Sequence, residues 1–151
     1  MKEVLKDEGM KSAFITSISS IEVIGTKPEN KPWKIGLQNP ENQSEMIGIV
    51  SLKDRAMGVS GDYQTYVEID GKMYHHILDK DTGYPVQDKK MVVVLCNNAF
   101  DADLLSTTFF LMPIDKVISY VDSREDLDVL IVDKDMNIIT SKNFKYEKVK
   151  N

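Results

Sequence analysis

Two short apolar runs joined by the dipeptide Asp70-Gly71 constrain the fold of this chain most. Residues 63–69 alternate Tyr, Val and Ile with polar side chains, and residues 72–77 form a second run that favours a strand. An Asp-Gly junction between two such runs predicts a tight β-hairpin, because both turn positions tolerate positive φ. The chain is therefore expected to contain an antiparallel strand pair whose second strand ends in a pair of histidines.

Further strands are predicted on both sides of this hairpin. They cover residues 13–18, 21–25, 33–37, 46–52, 56–60, 91–96, 127–132 and 136–140. Turn-rich segments separate the strands that precede the hairpin, which predicts an antiparallel meander. The run Met91–Cys96 is apolar throughout, which predicts a central strand covered on both faces. The lysine-rich tail over residues 141–151 is expected to fray or to add an edge strand.

The hydrophobic period changes after the predicted central strand. From Asp101 onward, apolar residues recur at intervals of three and four, which predicts a helix with Asn98 or Asp101 as its N-cap. Two further helices are predicted, over residues 2–10 and 114–121. The predicted fold class is α+β, a mostly antiparallel sheet with helices packed on one face, in a single domain over residues 1–151.

The composition limits the classes of function. A formal net charge of −5 argues against a nucleic-acid surface, because neutralising phosphates requires clustered Lys and Arg. The single cysteine, Cys96, lies in an apolar run, so a disulfide framework is excluded and a buried structural thiol is predicted. No transmembrane run and no apolar signal-peptide core occurs in the sequence. As written, the chain is expected in the cytoplasm, provided that Met1 is the true start.

Asp103 and Thr107 are the first candidates for chemistry. They are four residues apart on the predicted helix, so a carboxylate and a hydroxyl lie one turn apart on the same face. Two such oxygens can bind one hard cation. Mg²⁺ commonly takes only a few oxygen ligands from the protein and fills the rest of its coordination shell with water and phosphate oxygens. The alternative is that Asp101 and Asp103 only place negative charge at a helix N-terminus, where it is favourable.

The histidine pair is the second candidate. Adjacent residues of a strand point to opposite faces, so only one of His75 and His76 can face a given site. An imidazole is a natural general base for a hydroxyl group at neutral pH, and Asp79 or Asp81 is available to orient it. The alternative is a pair of half-exposed strand residues. No zinc-ligand spacing, P-loop or nucleophile elbow accompanies the pair.

Four ordered blocks of the sequence together resemble one protein family. The blocks are Ser60-Gly-Asp-Tyr63, Tyr74-His-His-Ile-Leu-Asp79, Thr82-Gly-Tyr-Pro85 and Asp101-Ala-Asp-Leu-Leu-Ser-Thr107. In this order and spacing they closely resemble the carboxy-terminal half of the ApbE family, the FAD:protein FMN transferases. The similarity covers nearly the whole chain and implies one half of an ApbE-like, T-fold-like architecture.

This resemblance implies an activity and a set of site residues. It implies an enzyme that cleaves the diphosphate of FAD and transfers FMN to a Ser or Thr hydroxyl of a target flavoprotein, with release of AMP. It implies that Asp103 and Thr107 bind a divalent cation, usually Mg²⁺, which bridges the phosphates. Either His75 or His76 is the implied catalytic base. The nucleotide contacts that the resemblance suggests are His76, Ile77, Asp79 and Gly83.

The sequence also departs from the family pattern. Family members are longer, and their amino-terminal half carries much of the FAD pocket. The tripeptide Ile18-Ser19-Ser20 stands where the family has a Gly-Gly-Asn or Gly-Gly-Asp loop, which allows closer backbone approach to a ligand. Three hypotheses therefore stay open. The chain is an FMN transferase or a fragment of one, a catalytically silent module that binds metal and flavin nucleotide, or a structural domain on the same scaffold.

The resemblance also bears on assembly and location. Half of a larger core leaves apolar edges exposed, so a homodimer is expected. Family members are usually exported and anchored to the membrane by lipid, although this sequence shows no export signal of its own.

Overall fold

The computed structural model describes residues 1–63 and 65–149. The helices are α1 (Lys2–Asp7), α2 (Ala99–Leu111) and α3 (Ile114–Asp122). The strands are β1 (Ala13–Ser17), β2 (Ser20–Ile24), β3 (Trp33–Gln38), β4 (Met46–Leu52), β5 (Ala56–Gly61), β6 (Tyr66–Ile69), β7 (Lys72–His75), β8 (Lys89–Cys96), β9 (Asp128–Asp133), β10 (Ile138–Thr140) and β11 (Glu147–Lys148). The α+β class predicted from the sequence is confirmed, since all the strand pairs are antiparallel and α2 and α3 pack on one face of the largest sheet.

The strands divide among three sheets rather than following one another as a single meander. The largest sheet has the order β1-β2-β5-β8-β9-β10, a second has the order β11-β4-β3, and β6 and β7 form a separate hairpin. The predicted meander is therefore wrong at three junctions, because β2 pairs with β5 and not with β3, and β5 pairs with neither β4 nor β6. Ile35 and Leu37 of β3 are buried against the large sheet, so the β3–β4 hairpin covers its second face instead of extending its edge.

Strand β8 separates the two halves of the core. Its side chains alternate between the layers, as the pleat of a strand requires. Val92, Val94 and Cys96 pack under the helices with Phe109 and Phe110. Met91, Val93 and Leu95 face the smaller sheet. The prediction of a central strand covered on both faces is confirmed, and so is the burial of the Cys96 thiol, whose pKa is raised by burial.

Several predicted boundaries shift for local reasons. The hairpin begins at Tyr66, not at residue 63, because residues 62–63 form a turn that buries the ring of Tyr63. Strand β10 begins at Ile138, since Met136 adopts a φ of 64° in the preceding turn. Glu147 and Lys148 pair with β4. Of the two forms expected for the tail, fraying or an edge strand, this part of it forms an edge strand.

Helix α2 is fixed at both ends. Asn98 is its N-cap, accepting from the backbone N–H of Asp101 at 2.9 Å. At the other end, the buried ammonium of Lys89 donates to the carbonyl of Phe110 at 3.1 Å. Both ends are thus held relative to β8, which sets the position of the helix face that carries Asp103 and Thr107. Among the described residues, no helix has the length and apolar character needed to cross a bilayer.

Candidate metal and nucleotide site

A polar cleft opens beside α2. The β1–β2 turn, the end of β5 and the residues that flank the β6–β7 hairpin form its other walls. The cleft has a volume of about 230 Å³. Its walls are formed by Ile18, Ser19, Val59, Ser60, Gly61, Thr65, His76, Asp103 and Thr107. The helix face predicted from the four-residue spacing therefore lies in the same cleft as one of the two histidines. Asp103 and Thr107 are both exposed to this cleft, while Ser106 between them is fully buried.

A chain of hydroxyl groups determines how Thr107 presents its oxygen. The hydroxyl of Ser106 donates to the backbone carbonyl of Asp103 at 2.9 Å, because a carbonyl can only accept. The Oγ atoms of Ser60 and Ser106 are 2.8 Å apart, so Ser60 must donate its proton to Ser106. In the 3.1 Å hydrogen bond between Ser60 Oγ and Thr107 Oγ1, Thr107 is therefore the donor. The lone pairs of Thr107 Oγ1 remain available to a cation in the cleft.

Ser19 approaches the carboxylate of Asp103 from the turn between β1 and β2. Its hydroxyl donates to Asp103 Oδ1 at 2.6 Å. The turn is tied to the cleft floor, since the carbonyl of Ser19 accepts from the backbone N–H of Val59 at 2.9 Å. Asp103 is therefore oriented by a partner 84 residues earlier in the chain.

The two histidines have different environments, as strand alternation predicts. His75 is buried, and its Nε2 lies 2.7 Å from the carbonyl of Val86. Its Nδ1 accepts from the backbone N–H of Ile77 at 3.3 Å, so both ring nitrogens are occupied inside the protein. His76 is exposed in the cleft, and its Nδ1 donates to the carbonyl of Thr65 at 3.2 Å. That hydrogen bond selects the tautomer whose Nε2 can accept a proton. His76 is thus the histidine placed to act as a base.

The acidic loop after the hairpin is a closed turn outside the walls of this cleft. Asp79 Oδ1 accepts from the backbone N–H groups of Asp81 at 3.0 Å and Thr82 at 2.9 Å. These hydrogen bonds hold the pKa of Asp79 below its usual value. Gly83 has a φ of 71°, which suits glycine, and its N–H donates to the Asp79 carbonyl at 2.8 Å. A nucleotide contact by Asp79 or Gly83 stays a prediction.

Ile77 and Asp62 each follow a residue that lines the cleft, but neither is among the lining residues itself. The side chain of Ile77 is buried beneath the helices, so its proposed nucleotide contact also stays a prediction. Asp62 follows the Gly61 wall of the cleft and is partly buried. Burial raises its pKa, an effect that the nearby Lys90 partly offsets.

The donor atoms of the cleft suit a small, hard cation. A carboxylate and a hydroxyl one helical turn apart supply oxygen ligands, which Mg²⁺ prefers, and leave room for water and phosphate. In the part of the chain that the structure describes, no cluster of three His, Cys, Asp or Glu residues that could hold a metal ion occurs, so a cation in this cleft would take most of its ligands from water and from a bound phosphate. The residues present therefore fit a cation that is completed by its substrate.

An apolar cavity adjoins the polar cleft. It has a volume of about 350 Å³, and it lies between the large sheet and the β3–β4 hairpin. Met46, Met57, Met91 and Tyr63 are among its walls, and Ile18, Ser19 and Val59 line both spaces. Methionine side chains adapt to flat ring systems and make favourable contacts with them. A ligand with an anionic group and an aromatic ring would find both environments side by side.

Sequence patterns alone do not reveal three serines of this site. Ser60 and Ser106 match no nucleophile motif, and their pairing depends on the packing of α2 against β5. Ser19 reaches Asp103 only because the β1–β2 turn folds over the helix. Only the contact of Ser106 with the Asp103 carbonyl has a local sequence signal. Ser106 lies three residues after Asp103, a spacing at which a helical serine can donate to a backbone carbonyl.

Comparison with known proteins identifies the family. The sequence profile of the ApbE family matches residues 1–131. An FAD:protein FMN transferase of Klebsiella pneumoniae is 30% identical over 143 residues, which cover 93% of this chain and 43% of that protein. One from Haemophilus influenzae is 31% identical over 132 residues, covering 85% of this chain and 38% of the relative. The chain thus spans less than half the length of these relatives and corresponds to their carboxy-terminal half.

Solved structures agree with the sequence matches. The ApbE protein of Thermotoga maritima superposes with a TM-score of 0.83 at 34% identity, over 91% of this chain and 45% of that one. The H257G mutant of the flavin transferase ApbE from Vibrio cholerae superposes with a TM-score of 0.76 at 27% identity, over 95% and 46% of the two chains. From its profile match, its relatives and its fold, the chain belongs to the ApbE family.

Proposed function

We propose that this chain forms the metal- and FAD-binding part of a Mg²⁺-dependent FAD:protein FMN transferase. The reaction breaks the diphosphate bond of FAD, joins the FMN phosphorus to a Ser or Thr hydroxyl of a target flavoprotein, and releases AMP. The observation that carries the proposal is the convergence of Asp103, Thr107 and His76 on one cleft. Relatives that share this half of the fold bear the name of that activity.

Each group of the cleft has a defined part in this proposal. Asp103 and Thr107 hold the cation, which when bound offsets the charge of the diphosphate and of the transferred phosphoryl group. His76 Nε2 accepts the proton of the attacking hydroxyl, while the Thr65 carbonyl keeps the ring oriented. Ser60 accepts the hydroxyl proton of Thr107, which leaves the lone pairs of the Thr107 oxygen free to hold a cation.

The apolar cavity supports FAD rather than a simple phosphate as the ligand. FAD joins a charged diphosphate to two flat ring systems, and the two adjoining spaces suit the diphosphate and one of those rings. Ile18, Ser19 and Val59 would lie beside the junction between phosphate and ring. A ligand with no ring would leave the Met-lined cavity unfilled.

Incubation with FAD followed by nucleotide analysis tests the activity. With no target protein present, water takes the place of the acceptor hydroxyl, so we expect FMN and AMP to form in the presence of Mg²⁺ and to be absent when the cation is removed with EDTA. Release of AMP at the same rate in EDTA would contradict the role given to Asp103 and Thr107.

A second function is favoured by one contact of the β1–β2 turn. Ser19 donates to Asp103 Oδ1 at 2.6 Å, in the segment where the resemblance to the family implies a glycine-containing loop. A side chain in this place suits a module that binds cation and flavin nucleotide without turnover. Calorimetry that shows Mg²⁺-dependent FAD binding, together with no AMP, would select this function over the transferase.

The different environments of the histidines predict different effects of substitution. Replacing His76 with Gln is expected to lower AMP release by about 10²- to 10⁴-fold, the usual contribution of a general base, with little change in stability. Replacing His75 with Ala is expected to cost about 1–3 kcal/mol in the free energy of unfolding, because the Val86 carbonyl and the Ile77 N–H lose their partner. Rate assays and urea unfolding of both variants check this. Full activity in His76→Gln would remove that residue from the mechanism.

Exposed apolar side chains on the β6–β7 hairpin support the proposed homodimer. Tyr66, Val67, Ile69 and Met73 are all exposed. The strand register places Val67 and Ile69 on one face of the hairpin and Tyr66 and Met73 on the other, and exposed apolar side chains of this kind favour a partner that covers them. We expect sedimentation equilibrium to give twice the monomer mass, and substitution of Val67 and Ile69 with Lys to return the mass to that of a monomer. A wild-type chain that sediments as a monomer at all concentrations would contradict the dimer.

A further inference from the structure

We infer that Ser19 sets the cation selectivity of the cleft by occupying one of the two carboxylate oxygens of Asp103. The inference rests on the proposed function, because it concerns the cation that Asp103 and Thr107 would hold. It goes further by naming a residue that decides which cation is accepted. The relevant observation is the 2.6 Å hydrogen bond from Ser19 Oγ to Asp103 Oδ1.

The position of Ser19 is fixed by its backbone. Ser17 and Ser20 pair across the β1–β2 turn, and Ile18 between them has a φ of 32°. The Ser19 carbonyl accepts from the Val59 N–H of the neighbouring strand β5. The side chain therefore reaches the carboxylate from a turn that is already held in place, so little order is lost when the hydrogen bond forms.

The hydrogen bond changes how Asp103 can bind a cation. A hydroxyl that donates to a carboxylate makes a strong, charge-assisted bond, here at the short end of the usual range. This hydrogen bond uses one of the two lone-pair sites of Oδ1, whereas no hydrogen bond from the described residues of the cleft engages Oδ2. Asp103 is thus biased toward binding a cation through Oδ2 alone, because a bond from Oδ1 would have to share that oxygen with the Ser19 hydroxyl.

Binding through one oxygen favours Mg²⁺ over Ca²⁺. Mg²⁺ is bound by one or two carboxylates with water and phosphate in a strict octahedron, whereas Ca²⁺ takes about six to eight oxygens and accepts a carboxylate through both. Thr107 adds one neutral oxygen, which leaves most of an octahedron to water and to the diphosphate. Removing the Ser19 hydroxyl would free Oδ1 and allow the larger cation a second bond.

The test compares the affinities of Mg²⁺ and Ca²⁺ directly, in the presence of FAD, by calorimetry of the full chain. We expect Ser19→Ala to raise the ratio of Ca²⁺ to Mg²⁺ affinity by about tenfold, in the range of effects seen for residues that orient metal ligands. Ser19→Thr retains a hydroxyl and is expected to keep the wild-type ratio. Ser12→Ala is a matched control, because Ser12 donates its hydroxyl to the Thr26 carbonyl at 2.7 Å, away from the cleft.

The possible outcomes separate this inference from the proposed function. A wild-type ratio in Ser19→Ala, or an equal change in Ser12→Ala, overturns the role of Ser19 while leaving the cation site intact. A wild-type chain that binds neither cation with FAD overturns the cation site itself, and with it the inference. Thermal unfolding of each variant shows whether the chains compared are folded.

Discussion

Replacing Asp103 with Ala is expected to abolish the Mg²⁺-dependent binding of FAD. Among the described residues that line the cleft, this side chain supplies the only carboxylate. Without it, Thr107 and the serine hydroxyls offer neutral oxygens alone, and nothing there offsets the charge of the cation. Loss of a residue that only orients a ligand costs about 10- to 100-fold in metal affinity, so loss of the ligand is expected to cost at least about 100-fold.

Asp101 provides a matched control for this substitution. It lies on the same helix, and its carboxylate accepts from the side-chain amide of Asn98 at 2.7 Å instead of facing the cleft. Asp101→Ala removes the same charge and is expected to leave FAD affinity at matched Mg²⁺ within about twofold, at a cost of about 1 kcal/mol or less in stability. Unchanged affinity in Asp103→Ala would reject the assignment of Asp103.

Replacing Gly58 with Ala is expected to have the second large effect. A Cβ at this position would lie 2.2 Å from the carbonyl oxygen of Ala102 and 2.8 Å from the backbone nitrogen of Asp103. Both contacts are with the backbone of α2, so relief requires the whole helix to move away from β5. We expect a loss of about 3 kcal/mol in the free energy of unfolding. The displaced helix should also lose Mg²⁺-dependent FAD binding, because Asp103 and Thr107 move with it.

Gly36→Ala is the control for Gly58→Ala. The three atoms nearest to a Cβ there all belong to the side chain of Met46, with 2.5 Å to its sulfur, and a flexible side chain can turn aside. Urea unfolding of both variants measures the difference in stability. Calorimetry of FAD binding compares Gly58→Ala with the wild-type chain only, because Gly36 lines the apolar cavity. Equal destabilisation by the two substitutions would contradict the close helix contact as the cause.

Local periodicity predicted the groups of the site that lie within one element. The four-residue spacing of Asp103 and Thr107 placed them on one helix face, and both line the cleft. Strand alternation predicted that only one histidine could face a given site, and the structure places His76 in the cleft and His75 in the interior. These features follow from the 3.6- and 2-residue periods of the backbone, which are visible in any window of sequence.

Contacts that depend on tertiary packing were not predictable in the same way. Alternation in β3 shows that Ile35 and Leu37 share a buried face, but not which sheet covers them, and the predicted meander failed there. Ser19 and Asp103 are 84 residues apart, and no local pattern joins them. The burial of Tyr63 in a turn likewise overrode the strand pattern of the residues around it.

Mn²⁺ in place of Mg²⁺ offers the most direct test of the central claim, that a divalent cation binds between Asp103 and Thr107 close to His76. Mn²⁺ accepts the same oxygen ligands and broadens the NMR signals of nearby nuclei. The chain has only two histidines, so their ring protons can be assigned by substituting each in turn. With FAD present, we predict that Mn²⁺ broadens the ring protons of His76 in the wild-type chain and leaves them sharp in Asp103→Ala. Bound Mn²⁺ that leaves the His76 signals sharp in the wild-type chain would contradict the account.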